Sequence, residues 1–379
     1  MPNNENASFF VVPEKDSAQG RRLLARANYW REAYRKRTTN HNILSEKQKR
    51  EILSVFGGYQ DLIDVDTIFH SFYFEKTEVF DSRIFPVDLY YCFIDPYFNN
   101  WETAPVMDNK CLYPRLFKDT KQPEIYFCRI NNIWTDVNAR LLTREEMNSI
   151  INNTGELVIK QAVSSEGGKN VFFVSGRDKL NQFWNACETI KKDIVIQGAI
   201  KQHESINAVN ATSVNTIRVL SLLTQEQVKI CSVILRMGIE GKRVDNISQG
   251  GIACGVDSCG RLKKVAYNYK GEVFNEHPTS KIKFDSVTIP NFDRVCNLVK
   301  MTHPSIPDYR LVSWDIAVDQ NGEPLLLEAN LCYGELNLHQ LNNGAVFGDD
   351  TEKVLAEVFG SKKYAGGLSS ILKRKVGLF

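Results

Sequence analysis

The stretch that most constrains this chain is "SWDIAVDQNGEPLLLEANLCYG", residues 313–334. Asn321-Gly322 separates two apolar runs, and an Asn-Gly pair is the strongest short-range hairpin signal, because a type I′ turn needs positive φ at both central positions. With that pair as the turn, Gln320 pairs with Glu323, Asp315 falls opposite Glu328, and Ser313 falls opposite Asn330. Opposed residues share a face, as do residues two apart on one strand, so Asp315, Glu328 and Asn330 converge on one patch. Facing carboxylates repel unless a proton or a cation lies between them. A few oxygen donors suit Mg²⁺, which takes its other ligands from water and phosphates. The bland alternative is a solvated face with incidental acids.

The remainder of the composition excludes more than it specifies. The chain has 379 residues, room for two or three subdomains with sizeable cores. A net charge of +2 gives no global field for nucleic acid, and no apolar stretch has the length of a membrane span. Nine cysteines without a CxxC pair, and a polar start without a secretory core, point to free thiols in a reducing, cytoplasmic setting. Cys92, Cys231 and Cys332 stand in apolar runs and read as small core residues.

Along the chain, residues 14–37 predict a basic helix with Leu23, Leu24, Ala27, Trp30 and Tyr34 near one face, and a second helix covers 45–56. Residues 65–107 are aromatic-rich and broken by prolines, a mixed segment. "CRINNIWTD" reads as a hairpin, and Thr143 with Glu146 gives a capping-box start for a helix over 143–152. From 155 onward come strand "LVIKQAV", a Gly-Gly loop, strand "VFFVS", an amphipathic helix and strand "DIVIQGAI". The β-rich runs "SVNTIRVLSLL", "VKICSVILRMG" and "LKKVAYNY" and a helix over 290–302 precede the hairpin. Strands and helices alternating with antiparallel hairpins predict an α+β enzyme.

Several of these segments carry candidate chemistry. Lys160 closes a strand before Ser165, Glu166, Gly167 and Gly168, whose backbone N–H groups can approach a phosphate; an ordinary hairpin turn is the alternative. The Walker A spacing is absent. Gln197-Gly198 ends the next strand, where peptide groups can meet an adenine edge; an ordinary strand end reads the same. Arg218 and Arg236 stand inside apolar strands, either as a clamp for phosphate or carboxylate or as structural salt bridges. In an unbulged strand Asn215 and Arg218 face opposite ways, and Arg218 is expected to face the cleft with Arg236. Asn246, Ser248 and Gly250 form a polar turn suited to a small anion or polar substrate.

In this order, "DNK" at 108–110, "VIKQAVSSEGGKNV", "VIQGAIKQH", "SVNTIRVL", "LRMG…VDNISQGGI" and "WDIAVDQNGEPLLLEAN" resemble the ATP-grasp superfamily, most closely its sugar-transfer-associated branch from surface-polysaccharide loci. The resemblance spans about residues 105–345. It implies an ATP-grasp fold in which two α+β subdomains, 105–200 and 201–350, grip ATP, flanked by a mainly helical 1–104 and a tail at 351–379. It implies that Lys110 and Lys160 contact phosphates, with Lys118 a rival for the first role. Ser165 to Gly168 match the phosphate loop, and Gln197, Gly198, Ala199 and Ile200 the adenine hinge. Asp315, Glu328 and Asn330 match the Mg²⁺ ligands (Mn²⁺ being the alternative metal), and Arg236 the basic residue beside the transferred phosphate.

The activity so implied is ATP-dependent, ADP-forming ligation of a carboxylate to an amine through an acyl phosphate, which needs no protein nucleophile. His203 reads either as a substrate contact or proton acceptor or as a structural residue, and Asn215 as a substrate contact. The substrates implied are a small-molecule or glycan-precursor carboxylate and an amine acceptor. A phosphotransferase acting on a sugar hydroxyl and a nucleotide-dependent scaffold for glycosyltransferases remain open. In the tail, Leu368, Ile371, Leu372, Val376 and Phe379 form one helical stripe backed by Lys373, Arg374 and Lys375. Such a stripe either packs on its own domain or makes a weak contact with the inner membrane surface.

Overall fold

The structure, a computed structural model, describes residues 17–59, 65–163, 170–239, 241 and 250–360. Ser165, Glu166, Gly167, Gly168, Asn246, Ser248 and the stripe beginning at Leu368 lie outside the described residues. Two antiparallel sheets dominate. The smaller contains β1 (Ile125–Ile130), β2 (Ile133–Thr135), β3 (Leu157–Gln161), β4 (Val171–Val174) and β5 (Ile194–Gly198), in the order β2-β1-β5-β3-β4. The larger contains β6 (Thr216–Leu223), β7 (Val228–Met237), β8 (Ile252–Val256), β9 (Leu262–Asn268), β10 (Val273–Phe274), β11 (Leu311–Val318) and β12 (Pro324–Asn330), in the order β10-β9-β8-β7-β6-β11-β12.

Alternation decides what each face meets. On β11, Val312, Trp314, Ile316 and Val318 face a core shared with the helix Phe292–Thr302 and the segment around Tyr113 and Phe117. The opposite face of the large sheet, with Leu220, Leu222, Ile234 and Leu311, is covered by the helices Ala18–Arg35, Glu46–Phe56, Ile68–Thr77, Leu336–Asn343 and Thr351–Phe359. The N-terminal helices therefore share one core with the large sheet instead of forming a core of their own. The first of them follows the predicted stripe: Ala27 and Tyr34 are buried, and Leu23, Leu24 and Trp30 pack against that core. The aromatic segment resolves into short helices around a five-residue π turn, Tyr90–Ile94.

In the small sheet, Leu157 and Ile159 face the helices Arg144–Asn153 and Lys179–Thr189, the former starting at the expected Thr143–Glu146 capping box. Val158, Lys160 and Ala162 consequently point away from those helices. All nine cysteines are free; Cys92 is buried, whereas Cys231 and Cys332 are only partly so. Among the described residues, no helix is long and apolar enough to cross a membrane.

The β11–β12 hairpin departs from the predicted turn in an instructive way. The Asp319 N–H donates to Glu323 O at 2.9 Å and the Gly322 N–H to Asp319 O at 2.8 Å, so three residues, 320–322, make the loop. Within it only Gly322 has positive φ, 79°. Asp319 Oδ1 also accepts the N–H groups of Asn321 and Glu323, which favours the longer turn. The extra loop residue shifts the pairing to Val318↔Pro324, Ala317↔Leu325 and Ile316↔Leu326. A bulge at Leu327 then restores Asp315↔Glu328 and Ser313↔Asn330. The bulge also lets Leu326 and Ala329 face the same core, which strict alternation from Leu326 would forbid. The type I′ geometry expected at Asn321-Gly322 occurs instead at Asn131-Asn132, with φ of 50° and 64°, closing the β1–β2 hairpin.

Candidate functional site

The restored register puts Asp315 and Glu328 side by side on the face of the large sheet that carries Arg218 and Arg236. Arg218 lies opposite Asp315 on β6, and Arg236 lies two pairs along β7, opposite Thr216 and so on the same face. Arg218 grips Asp315 with two parallel bonds, Nε to Oδ1 and Nη2 to Oδ2, both 2.7 Å. Arg236 Nη1 adds a third to Oδ2 at 3.0 Å. The arginines that the sequence offered as a phosphate clamp or as salt bridges thus form salt bridges. Burial alone would raise the Asp315 pKa, but the two guanidiniums outweigh it and hold the carboxyl well below the usual range. Arg218 is correspondingly fixed as a cation: burial would lower its pKa, and Asp315 more than reverses this.

Lys110 comes from the segment between the sheets. Its N–H donates to Ala162 O just past β3 at 3.0 Å, and its Nζ donates to Glu328 Oε1 at 2.7 Å. It is 3% exposed, whereas its rival Lys118 is exposed. Burial disfavours its charge, but Glu328 and Asp108 more than compensate. Glu328 likewise stays ionised because Lys110 outweighs burial and the repulsion from Asp315. Lys160 reaches from the face of the small sheet opposite the helices Arg144–Asn153 and Lys179–Thr189 toward the same carboxylates. Burial and the charge of Lys110 push its pKa down to about 8, and among the described residues its ammonium has no hydrogen-bond or ion-pair partner.

The donor set fits a hard divalent cation. Asp315 accepts three bonds from the two arginines and a further one from the Asn330 side chain, so its roughly four acceptor positions are in use. Glu328 is known to share only Oε1, with Lys110. The Asn330 amide nitrogen is committed to Ser313 O at 3.0 Å, so its oxygen is the group left to donate. Among the described residues no three His, Cys, Asp or Glu side chains cluster as an all-protein metal cage would require, and Mg²⁺ needs no such cage.

Other expected residues sit elsewhere. His203 is the N-cap of the helix Glu204–Asn207, with Nδ1 accepting from Ser205 N. Its own N–H donates to Val318 O, at the turn end of the hairpin and three residues from Asp315. Asn215 is buried, and its Nδ2 donates to Gln202 Oε1, Ile206 O and Asn210 O; it staples the 202–215 loop instead of joining Arg218. At the hinge, Gly198 N–H and Ala199 N–H already donate to Glu124 O and Glu156 O. Gln197 is buried between β1 and β3. The strand then runs through Ala199 and Ile200 to Gln202, which bridges to Asp319, so this segment links the two sheets. Gly250 adopts φ 98° just before β8.

Sequence reasoning missed His339. It is fully buried beside the Arg218–Asp315–Arg236 cluster and contacts Ser232 Oγ through Nδ1 at 2.8 Å. Burial, then Arg218, push its pKa down to about 3, so the imidazole is neutral. Glu335 also escaped notice, although it lies near Arg218. A His in a short helix whose residues 336–342 are all buried offers no sequence signal of such a neighbour.

Among solved structures, the chain is similar to an N5-carboxyaminoimidazole ribonucleotide synthetase in its ADP complex (8% identity over 59% of this chain and 45% of that one, TM-score 0.35). It is also similar to the ATP-grasp ligase PsnB with its minimal precursor (11%, 69% and 64%, TM-score 0.39). A third is D-alanyl-alanine synthetase A from Vibrio cholerae (12%, 73% and 67%, TM-score 0.38). The chain thus spans about half to two thirds of the length of these neighbours. A search of curated proteins gave no match. A family model described as "Sugar-transfer associated ATP-grasp" matches residues 93–356, well over half the chain, and takes in both sheets and the hairpin. This chain is a member of the sugar-transfer-associated ATP-grasp family.

Proposed function

We propose that the protein is an ATP-dependent, ADP-forming carboxylate–amine ligase. The observation that carries this reading is Lys160, an ammonium with no acceptor among the described residues, set beside Lys110 and facing Glu328 and Asp315. A half-buried, unpaired cation calls for an anion, and polyphosphate bound with a divalent cation is the anion that family membership supplies.

On this reading Lys110 and Lys160 hold nucleotide phosphates, while Glu328 and the Asn330 oxygen would hold Mg²⁺, and Asp315 would join them by giving up one of its present bonds. Bound there, Mg²⁺ offsets charge on the phosphate oxygens. Arg218 and Arg236 keep Asp315 ionised and oriented. The 197–200 segment, which links the two sheets, would meet the adenine on this reading. A substrate carboxylate oxygen attacks the γ-phosphorus as the bond to ADP breaks, giving an acyl phosphate. An amine nitrogen then forms the bond to the acyl carbon, phosphate leaves, and the amine proton is released. The family description favours a sugar acid or other glycan precursor as one substrate.

The test is ADP release in a matrix of amino acids crossed with uronic acids, with phosphorus NMR of the products. The ligase reading expects turnover only when a carboxylate and an amine are both present, with free phosphate released. Labelled phosphate retained on a hydroxyl would replace it with a phosphotransferase.

A further inference from the structure

The loop that follows Asn330 has an unusual conformation and an unusual neighbourhood. Tyr333 and Glu335 both adopt left-handed φ, 55° and 64°, where L side chains are strained. Such strain persists only where the surroundings enforce it, and here they do. The Tyr333 N–H donates to the buried Asp95 Oδ2 at 2.8 Å, and the carbonyl of Gly334 accepts from Ser313 Oγ at 2.5 Å. The N–H of Leu336 donates to the hydroxyl of Tyr91, which belongs to the π turn.

The consequence is to hold the Tyr333 ring outward. It is 47% exposed, although it touches Trp101 with ring centroids 4.7 Å apart and Tyr91 at 5.4 Å. Arg26, from the first helix and outside the family match, lays its guanidinium over Trp101 at 4.6 Å and over Tyr333 at 4.9 Å. Among the described residues Arg26 has no ion-pair partner. A guanidinium lying against rings, which accept no conventional hydrogen bond, keeps N–H groups able to fork a carboxylate. The exposed Tyr333 ring, its neighbour Trp101 and a cation without an ion-pair partner lying against them match the two halves of an acidic sugar: an apolar C–H face that buries against aromatic surface, and a carboxylate.

Position sets the role. Tyr333 is three residues beyond Asn330, so at most roughly 11 Å of chain separates them. Asn330 and Ser313 are paired, and Ser313 holds Gly334, so the platform is anchored to the hairpin that carries Glu328. We propose that Tyr333, Trp101 and Arg26 form a subsite for an acidic sugar ring, next to the unit that reacts at the hairpin. This rests on the ligase reading for its neighbour and names an oligomeric, uronic-acid-type glycan as the substrate class.

Saturation-transfer NMR on the full chain tests it, with trigalacturonate as probe and maltotriose as its neutral counterpart. Saturation of trigalacturonate protons well above those of maltotriose is expected. Tyr333→Asn removes the ring with a residue that tolerates left-handed φ, and Trp101→Leu removes the second ring; each should abolish the transfer. Arg26→Gln should weaken trigalacturonate about tenfold, the scale of one charge-assisted contact, and erase the preference over maltotriose. Equal signals from the two sugars in the wild type, no transfer at all, or transfer that survives both ring variants would overturn the inference. Calorimetry of Mg-ATP on the wild type separates the two readings. Sugar contact without ATP binding sustains the platform and sinks the ligase, and ATP binding without sugar contact does the reverse.

Discussion

Lys110 Nζ lies 2.7 Å from Glu328 Oε1 and ties the segment beneath the small sheet to the hairpin of the large one. Glu328→Gln keeps an oxygen for this bond and removes the charge. Turnover should fall by at least about 100-fold, the scale of a lost charged contact to the reacting phosphate, with the melting temperature nearly unchanged. ADP release and thermal melting check this; wild-type turnover in the variant would remove Glu328 from the site.

Asp315 should behave differently, because Arg218 and Arg236 depend on it. Asp315→Asn leaves two buried guanidiniums without a carboxylate and should cost about 3–5 kcal/mol of stability. Urea unfolding reads this directly. A fully stable variant would mean that the arginines find other partners.

Lys160 gives a pH signature. With its pKa near 8 in the free protein, an anion that binds beside it must raise that value. Nucleotide binding at pH 8 should therefore take up a fraction of a proton, and affinity should decline as pH rises above 8. Calorimetry in buffers of different ionisation enthalpy measures the uptake. Lys160→Met should abolish it and weaken ATP about tenfold or more.

Asp95 predicts a stability trend. Burial raises its pKa to about 7, against about 3.9 when unfolded. Between those values the folded state holds a proton that the unfolded state has lost, so its contribution to stability falls as pH rises from about 4 to 7 and stays low above. Relative to wild type, Asp95→Asn should show a flatter profile across that window, by about 2–4 kcal/mol between its ends. Denaturant titrations at pH 4.5 and 7.5 check it.

Gly322→Ala probes the turn. Its φ of 79° costs an L residue about 1–2 kcal/mol, and an added Cβ would lie 2.7 Å from Asn291 Nδ2, breaking that amide's bond to Gly322 O. Asn321→Ala should cost less, since Asn321 keeps negative φ. Chemical denaturation ranks the two; the reverse order would restore the two-residue turn.

By itself the sequence determined what local chemistry determines. The capping box at Thr143, the stripe along the first helix, and the convergence of Asp315, Glu328 and Asn330 were legible, because caps, periodicity and alternation act over a few residues. The ordered motifs also carried the family. The hairpin register came out right although its turn did not: the bulge at Leu327 offsets the three-residue loop, and only the core that Leu326 and Ala329 both enter explains why. Everything long-range was decided by the tertiary structure. Whether Arg218 and Arg236 are free or paired depends on a carboxylate two strands away from β7, and Lys160 stands near Glu328 beside a Lys110 that comes from another segment and takes Oε1. Arg26 meets Tyr333 across more than 300 residues of chain because the N-terminal helices close over the large sheet, a packing that periodicity permits but does not direct.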